Sequence, residues 1–177
     1  FDWEKEFPQV FEKGGFDVVI GNPPYVEAVE TEKEYYKTNY PAVEGHIDLF
    51  EIFIQKGVTL LRDKGYFAFI NPNTVLSNLY SKKLREMMVC EYGLCEVINF
   101  GMDVFQDPTV HTCILIMRKG VQFETINIKQ KVKSQDEINA PFDYSISTMD
   151  IKNNLNFTFD LTLNNIEREI FNKLKIL

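Results

Sequence analysis

Phe16-Asp17-Val18-Val19-Ile20-Gly21-Asn22-Pro23-Pro24-Tyr25 decides how the chain is read. Its first six residues form a short apolar run with two β-branched valines and an isoleucine, stopped by a glycine, which predicts a buried strand. Asn22-Pro23-Pro24-Tyr25 follows at once. A polar, stiff tetrapeptide just past the carboxyl end of a strand stands where open α/β sheets bind ligands. Asn22 brings a side-chain carbonyl oxygen, and Pro23 brings a main-chain carbonyl with no N–H. Each proline fixes its own φ and restrains the residue before it, so the acceptors form a rigid row. Tyr25 adds a flat ring. Such a row suits a planar amino group. An exocyclic amine conjugated to a ring is a poor nucleophile, and acceptors aimed at both of its N–H bonds favour a more tetrahedral, more reactive nitrogen. Asn-Pro also opens ordinary surface turns; the position directly after a buried strand favours binding over a turn.

Outward from this stretch, residues 26–45 are polar and aromatic with no clear period and read as a long loop, a feature that is often functional. Residues 47–62 carry Leu49, Phe50, Phe53, Val58, Leu60 and Leu61 at helical spacing, with Asp48 favouring the N-terminal end. Residues 62–65 read as a turn, 66–70 as a second buried strand ended by Asn71-Pro72, and 79–91 as a helix with Gly93 as its stop. Residues 95–100 and 110–117 read as strands close enough in sequence to pair. The order strand, helix, strand, helix, strand, strand predicts a mostly parallel α/β sheet finished by an antiparallel pair. The strand at 16–21 is apolar on both faces, as expected for the middle of a parallel sheet. From residue 121 the composition shifts. Ile126, Ile128 and Val132 alternate with Lys129, Lys131 and Lys133, as in a half-buried strand whose lysines face one way. They either follow a nucleic-acid backbone or blunt an exposed edge. Residues 134–165 carry weak signals, and 166–176 read as a helix.

The chain has 177 residues, enough for one domain and the start of a second. Its formal charge of −7 argues against a surface that binds polyanions everywhere, and leaves room for a local basic patch. No apolar stretch is long enough to span a bilayer, and residues 1–5 do not resemble a signal peptide, so no membrane partner and a cytoplasmic location are expected. Cys90, Cys95 and Cys113 cannot all pair and fit no zinc site; no metal is expected, and Cys113 reads as core. His46 and His111 read as structural or exposed rather than catalytic. Lys82, Lys83 and Arg85 read as a solvated helix face, and Asp17 as a residue that positions a strand end.

Residues 16–25 resemble the catalytic motif of the amino-group DNA methyltransferases, most of all the adenine-specific, TaqI-like enzymes of type II restriction-modification systems. The likeness continues through 47–53, 60–72, 101–105 and the strand ending at Met117. The resemblance implies the C-terminal half of a Rossmann-like, S-adenosylmethionine-dependent methyltransferase sheet. Residues 1–120 would then be a partial catalytic domain, and 121–177 a linker and the start of a DNA-recognition region. It implies that Asn22, Pro23, Pro24 and Tyr25 are catalytic and that Phe105 packs against the target base. Phe53 would contact the cofactor, although its pattern also reads as helix core. Lys129, Lys131 and Lys133 would touch double-stranded DNA. Such enzymes hold S-adenosylmethionine with a Gly-rich turn and an acidic residue for the ribose. No Gly-x-Gly occurs here, so those elements are expected upstream in a full-length protein, with this chain a fragment that binds the cofactor weakly or not at all. The strand at 16–21 would then keep an open edge, through which the chain self-associates or which its own terminal segments cover. The tetrapeptide also fits methylation of a protein glutamine amide, or of a cytosine or RNA base amine. A non-catalytic DNA-recognition or scaffold module would keep the same fold. The long segment after Tyr25 and the Phe105 region favour DNA.

Overall fold

A computed structural model describes residues 1–101, 110–161, 166 and 167. Its strands are β1 (Phe16–Gly21), β2 (Leu61–Pro72), β3 (Leu94–Phe100), β4 (Thr112–Arg118), β5 (Thr125–Val132) and β6 (Tyr144–Ser147). They form one six-stranded sheet in the order β1-β2-β4-β3-β5-β6. The expected alternation is present, but the sheet is mixed rather than mostly parallel. Only β1–β2 and β3–β5 pair in parallel. The reason is β4. It returns from β3 by a short connection, which permits only an antiparallel pair, and it lodges between β3 and β2. Its Cys113, Leu115 and Met117 are fully buried there. Because β4 is antiparallel to both neighbours, β1, β2, β3 and β5 all point one way and end on a common rim.

β1 is an edge strand, with the open edge expected of it. It pairs with β2 alone among the described strands, and Val18 and Ile20 are 54% and 73% exposed. β2 starts earlier than expected. The turn at 62–65 is absorbed as a bulge between the pairs Phe16–Leu61 and Val18–Tyr66, with Lys64 at a φ of 61°. Arg62 Nε donates to Asp17 Oδ1 at 2.6 Å across this bulge.

Helix α4 (Leu49–Leu60) places Phe50, Ile54 and Val58, four residues apart, on the sheet, where they join Phe67, Phe69 and Leu115 in the main core. Helix α5 (Lys82–Cys90) adds Leu84 and Met88 to the same core. Gly93 then takes a φ of 72°, and a Cβ there would lie 2.2 Å from the Arg118 carbonyl oxygen, so the stop after this helix requires glycine. Arg85 departs from the expected solvated face. It is fully buried, and its guanidinium donates to the carbonyls of Val75 and Asn156, fastening α5 to the 3-10 turn at Asn73–Leu76 and to the segment after β6. Lys82 and Lys83 are exposed as expected.

The long loop expected at 26–45 contains helix α3 (Glu30–Asn39). Apolar periodicity misses it because none of its residues is buried. Charge pattern carries it instead: Lys33 bridges Glu30 and Lys37 bridges Glu34, each at i,i+3. Tyr36 and Tyr40 pack against a small cluster of Ala28, Val43, Ile47 and Ile52.

β5 also differs from its expected form. Ile126 and Ile128 face the main core, but the register with β3 slips between Ile98–Lys129 and Phe100–Val132, with Lys131 at a φ of 52°. This bulge sends Val132 into a second cluster with Ile98 and Phe100 on the sheet's other face. Lys129 is 3% exposed, and its Nζ donates to the carbonyls of Glu137, Ile138 and Ala140 at the end of helix α6 (Gln135–Asn139). It caps that helix and is not available to a DNA backbone. Because β5 and β6 belong to the sheet, the composition shift after residue 120 does not mark its edge. The expected helix at 166–176 falls outside the described residues apart from 166 and 167. Among the described residues, no helix is long and apolar enough to cross a membrane.

One buried acid sits in this packing. Glu51, in the first turn of α4, is 1% exposed. The Ser81 hydroxyl donates to its Oε1, and its Oε2 has no partner among the described residues. Burial pushes its pKa up to about 7, outweighing the hydrogen bond from Ser81. The folded state therefore holds this proton more tightly than the unfolded chain does. The cost of Glu51 is absent below its ordinary carboxylate range and develops as pH rises through about 7. Urea unfolding should show stability falling by on the order of 2 kcal/mol between about pH 5 and pH 8. Glu51→Gln should flatten that slope, and an equal fall in the variant would assign it to other groups.

Candidate active site

The β1–β2 pairing delivers Asn22 to the rim. Gly21 lies opposite Phe69, and a Cβ on residue 21 would sit 2.9 Å from the Phe69 ring, so glycine is what lets the strand end close down on that ring. Three residues on, the Tyr25 hydroxyl donates to the Ile70 carbonyl at 2.8 Å and the half-buried ring packs against the main core. Burial, with a smaller contribution from Cys113, pushes the Tyr25 phenol up to about 12, so it stays a neutral donor. The chain beyond is stapled to the start of α4. The Ala28 N–H donates to the Ile47 carbonyl at 2.8 Å and the Leu49 N–H to the Val26 carbonyl at 2.9 Å, so that the backbones of Glu27 and Asp48 pair as an isolated antiparallel β-bridge. The tetrapeptide is thus held at both ends. Between these anchors Pro23 is buried while Asn22 and Pro24 are exposed. Neither the Asn22 side-chain oxygen nor the Pro23 carbonyl accepts a hydrogen bond from a described residue.

Asn22 and Pro23 line a cleft of about 590 Å³ together with Ile20, Ile52, Phe53 and Phe69. Phe53 is 45% exposed and lines this cleft, on the exposed stripe of α4 that it shares with Lys56 and Thr59. Among the described residues, the lining includes no Ser, Cys, His, Asp or Glu, and Lys56 is the one that carries a charge at neutral pH. Among those residues the cleft offers acceptors, tyrosine hydroxyls and apolar walls, and no carboxylate base.

The remaining expected residues are dispersed. Phe105 lies outside the described residues. Lys131 and Lys133 line a separate pocket with His111, and Lys129 is buried away from it. His46 sits between two carboxylates, with Nδ1 3.4 Å from Glu27 and Nε2 3.5 Å from Asp48, and it does not line the cleft. Glu27 is held below the ordinary carboxylate range, chiefly by its hydrogen bond from Lys33. Sequence reasoning missed two contributors to the cleft. Tyr35, Tyr36 and Tyr40 reach it from α3 and its C-terminal end, and the i,i+4 spacing of the last two beside paired Glu and Lys was the available signal. Trp3 reaches it from the N-terminal turn α1 (Trp3–Glu6), which no pattern marks.

Residues 1–105 match the family described as Eco57I restriction-modification methylase. The chain is 26% identical over 170 residues to the type II restriction enzyme and methyltransferase RM.Eco57I of Escherichia coli, covering 89% of this chain and 17% of that protein. Among solved structures, the methyltransferase subunit of a type I restriction-modification system from Streptococcus thermophilus superposes with a TM-score of 0.65 at 18% identity, over 90% of this chain and 41% of that one. DrdV in its complex with DNA gives a TM-score of 0.64 at 12% identity, over 92% of this chain and 20% of that one. The chain therefore spans under a fifth of the curated relative, while its fold recurs almost whole inside larger proteins. With its family match running from the N-terminal turns through β1, Asn22–Pro23–Pro24–Tyr25, α4, β2, α5 and β3, the chain belongs to the Eco57I restriction-modification methylase family.

Proposed function

We propose that this chain forms the target-base side of an active site that methylates the exocyclic amino group of adenine in double-stranded DNA, within a larger restriction-modification protein. The observation that carries the reading is the free acceptor pair. Asn22 Oδ1 and the Pro23 carbonyl accept no hydrogen bond from a described residue and stand at an apolar cleft, on a loop held from both sides. The restriction and methyltransferase activities of the relatives, and the DNA bound to DrdV, support the choice of substrate.

Catalysis then rests on orientation. Extruding an adenine from the duplex costs a few kcal/mol. Stacking on the Tyr25 ring returns about 1–3 kcal/mol, and its hydroxyl, tied to Ile70, fixes the ring in place. Phe105 is assigned the opposite face of the base on the strength of the family resemblance. Asn22 and Pro23 accept the two N–H bonds of the amino group and draw its lone pair out of conjugation. S-adenosylmethionine, when bound, supplies the electrophilic methyl group. The cleft fits such a ligand in part. Its volume lies within the range of small-molecule sites, and Phe53 would hold the adenine ring, but among the described residues no carboxylate that would bind a ribose lines it. Free thiols at Cys90, Cys95 and Cys113 agree with work in a reducing cytoplasm.

In the complete protein, Asn22→Ala should lower single-turnover methylation by roughly a hundredfold or more, as for loss of one oriented polar group at a reacting centre. DNA affinity should change little. Nucleoside analysis of the wild-type product should find N6-methyladenine; methylcytosine would overturn the substrate assignment.

For Tyr25, Ala should abolish most of the fluorescence gain of a 2-aminopurine placed at the target position, whereas Phe, which keeps the ring and loses only the bond to Ile70, should retain most of it. Equal signals in wild type and the Ala variant would remove the stacking role.

The open edge of β1 leads to a separate expectation for the isolated 177-residue chain. Burying Val18 and Ile20 is worth about 1.5–3 kcal/mol each, so the chain should self-associate in sedimentation at micromolar concentration. Ile20→Lys should return it to monomer. A wild-type chain that stays monomeric would show that the edge is tolerated in water.

A further inference from the structure

The rim that carries Asn22 holds a second concavity. The ends of β2, β3 and β5 enclose a pocket of about 360 Å³ lined by Asn73, Asn99, Gly101, His111, Lys131 and Lys133. The bulge in β5 builds it. With Lys131 at a φ of 52° and the register to β3 slipped by one residue, the strand's last lysines part from Lys129, which turns to cap α6. The floor is fixed by a chain of amides, with Asn73 Nδ2 donating to Asn99 Oδ1 at 3.2 Å and Asn99 Nδ2 to Gln130 Oε1 at 3.0 Å. Lys131 and Lys133 are exposed, and neither forms an ion pair with a described residue. The adjacent acid, Glu137, is occupied in accepting the Lys133 main-chain N–H at 2.6 Å. In a chain of net charge −7, two lysines with no carboxylate partner among the described residues, beside a histidine in one concavity, form a local cationic patch.

We propose that this pocket binds a backbone phosphate of the substrate duplex, at a fixed distance from the extruded base. The proposal rests on the DNA methyltransferase reading above. Asn22 follows β1, and the pocket's lysines stand at the end of β5, four positions along the sheet. At about 4.8 Å per strand this separates them by roughly 15–20 Å, or about four to six nucleotides at ~3.4 Å of rise each. A phosphate held there carries no sequence information; it sets the register in which the duplex presents the base to Asn22. Lys131 and Lys133 supply the charge, and the amide chain keeps the floor from collapsing onto them.

The test uses the full-length protein and a duplex of about 30 base pairs containing a methylated site of the wild-type enzyme, long enough to cover the spacing at ~3.4 Å per base pair. Lys131→Gln with Lys133→Gln should lower the slope of log affinity against log salt by about 1, since one phosphate contact contributes ~0.9. The paired Arg substitutions should restore it. A neutral methylphosphonate linkage about four to six nucleotides from the target adenine should weaken wild-type binding and have no further effect in the Gln pair. Normal binding and methylation by wild type, with an unchanged slope in the Gln pair, would overturn the pocket and leave the methyltransferase reading standing. A wild-type protein that neither binds nor methylates DNA would overturn both.

Discussion

The contact on which the site depends is the closure of Gly21 onto the Phe69 ring. β1 and β2 run in parallel, and at their last paired positions the missing side chain of residue 21 lets the strand end settle against an aromatic that is itself part of the main core. Any larger residue would lift the strand end and carry Asn22 with it. Tyr25 then repeats the attachment one step later, through the Ile70 carbonyl of the same β2. Two consecutive fastenings to one buried strand leave the intervening Asn-Pro-Pro little freedom, and the prolines remove most of what is left. The acceptors are positioned by the core, not by a network of polar groups at the surface.

The rest of the sheet follows from where β4 goes. By lodging between β2 and β3 it makes two antiparallel pairs, yet it leaves four strands pointing to one rim, so that residues far apart in sequence, Asn22, Asn73, Asn99 and Lys131, end on the same side. The return from β3 makes β3 and β4 an antiparallel pair, and the apolar β4, with Cys113, Leu115 and Met117 fully buried, fills the place between β3 and β2.

How much of this was legible varied with the physics of each element. β1, β2, β3 and β4 were readable because concentrated β-branched and aromatic runs mark buried or paired strands, and α4 because its apolar residues recur every four. The open edge of β1 followed from the family resemblance and not from its own residues: Val18 and Ile20 look alike on an open edge and in a covered centre, and only the pairing partners distinguish them. α3 was missed because its stability comes from ion pairs along an exposed surface, which an apolar period cannot register. Lys129, Lys131 and Lys133 looked equivalent because alternation assumes an unbroken period of two. One bulge divides them, into a buried helix cap and two exposed cations. Arg85 and Glu51 show the same limit. Nothing in their neighbours predicts burial, which arises from carbonyls and a hydroxyl contributed by distant segments. Among the proposed site residues, Asn22, Pro23 and Phe53 were placed together in one cleft by the structure, and the tyrosines of α3 were added to them.

The edge and the cleft are one problem in this chain. Ile20 is 73% exposed on the unpaired side of β1, and it also lines the cleft beside Asn22 and Phe53. A strand added along β1 would cover Val18 and Ile20 and, in the same act, change the wall against which any ligand in the cleft must sit. The acceptors at Asn22 and Pro23 do not share this dependence, because they are anchored to β2 and to α4 on the other side. The fold therefore separates two tasks along a single strand. Its paired edge fixes the groups proposed to hold the amino nitrogen, and its open edge bounds the space proposed for the methyl donor, so that affinity in the cleft is sensitive to what lies along β1 while the geometry of the acceptor row is not.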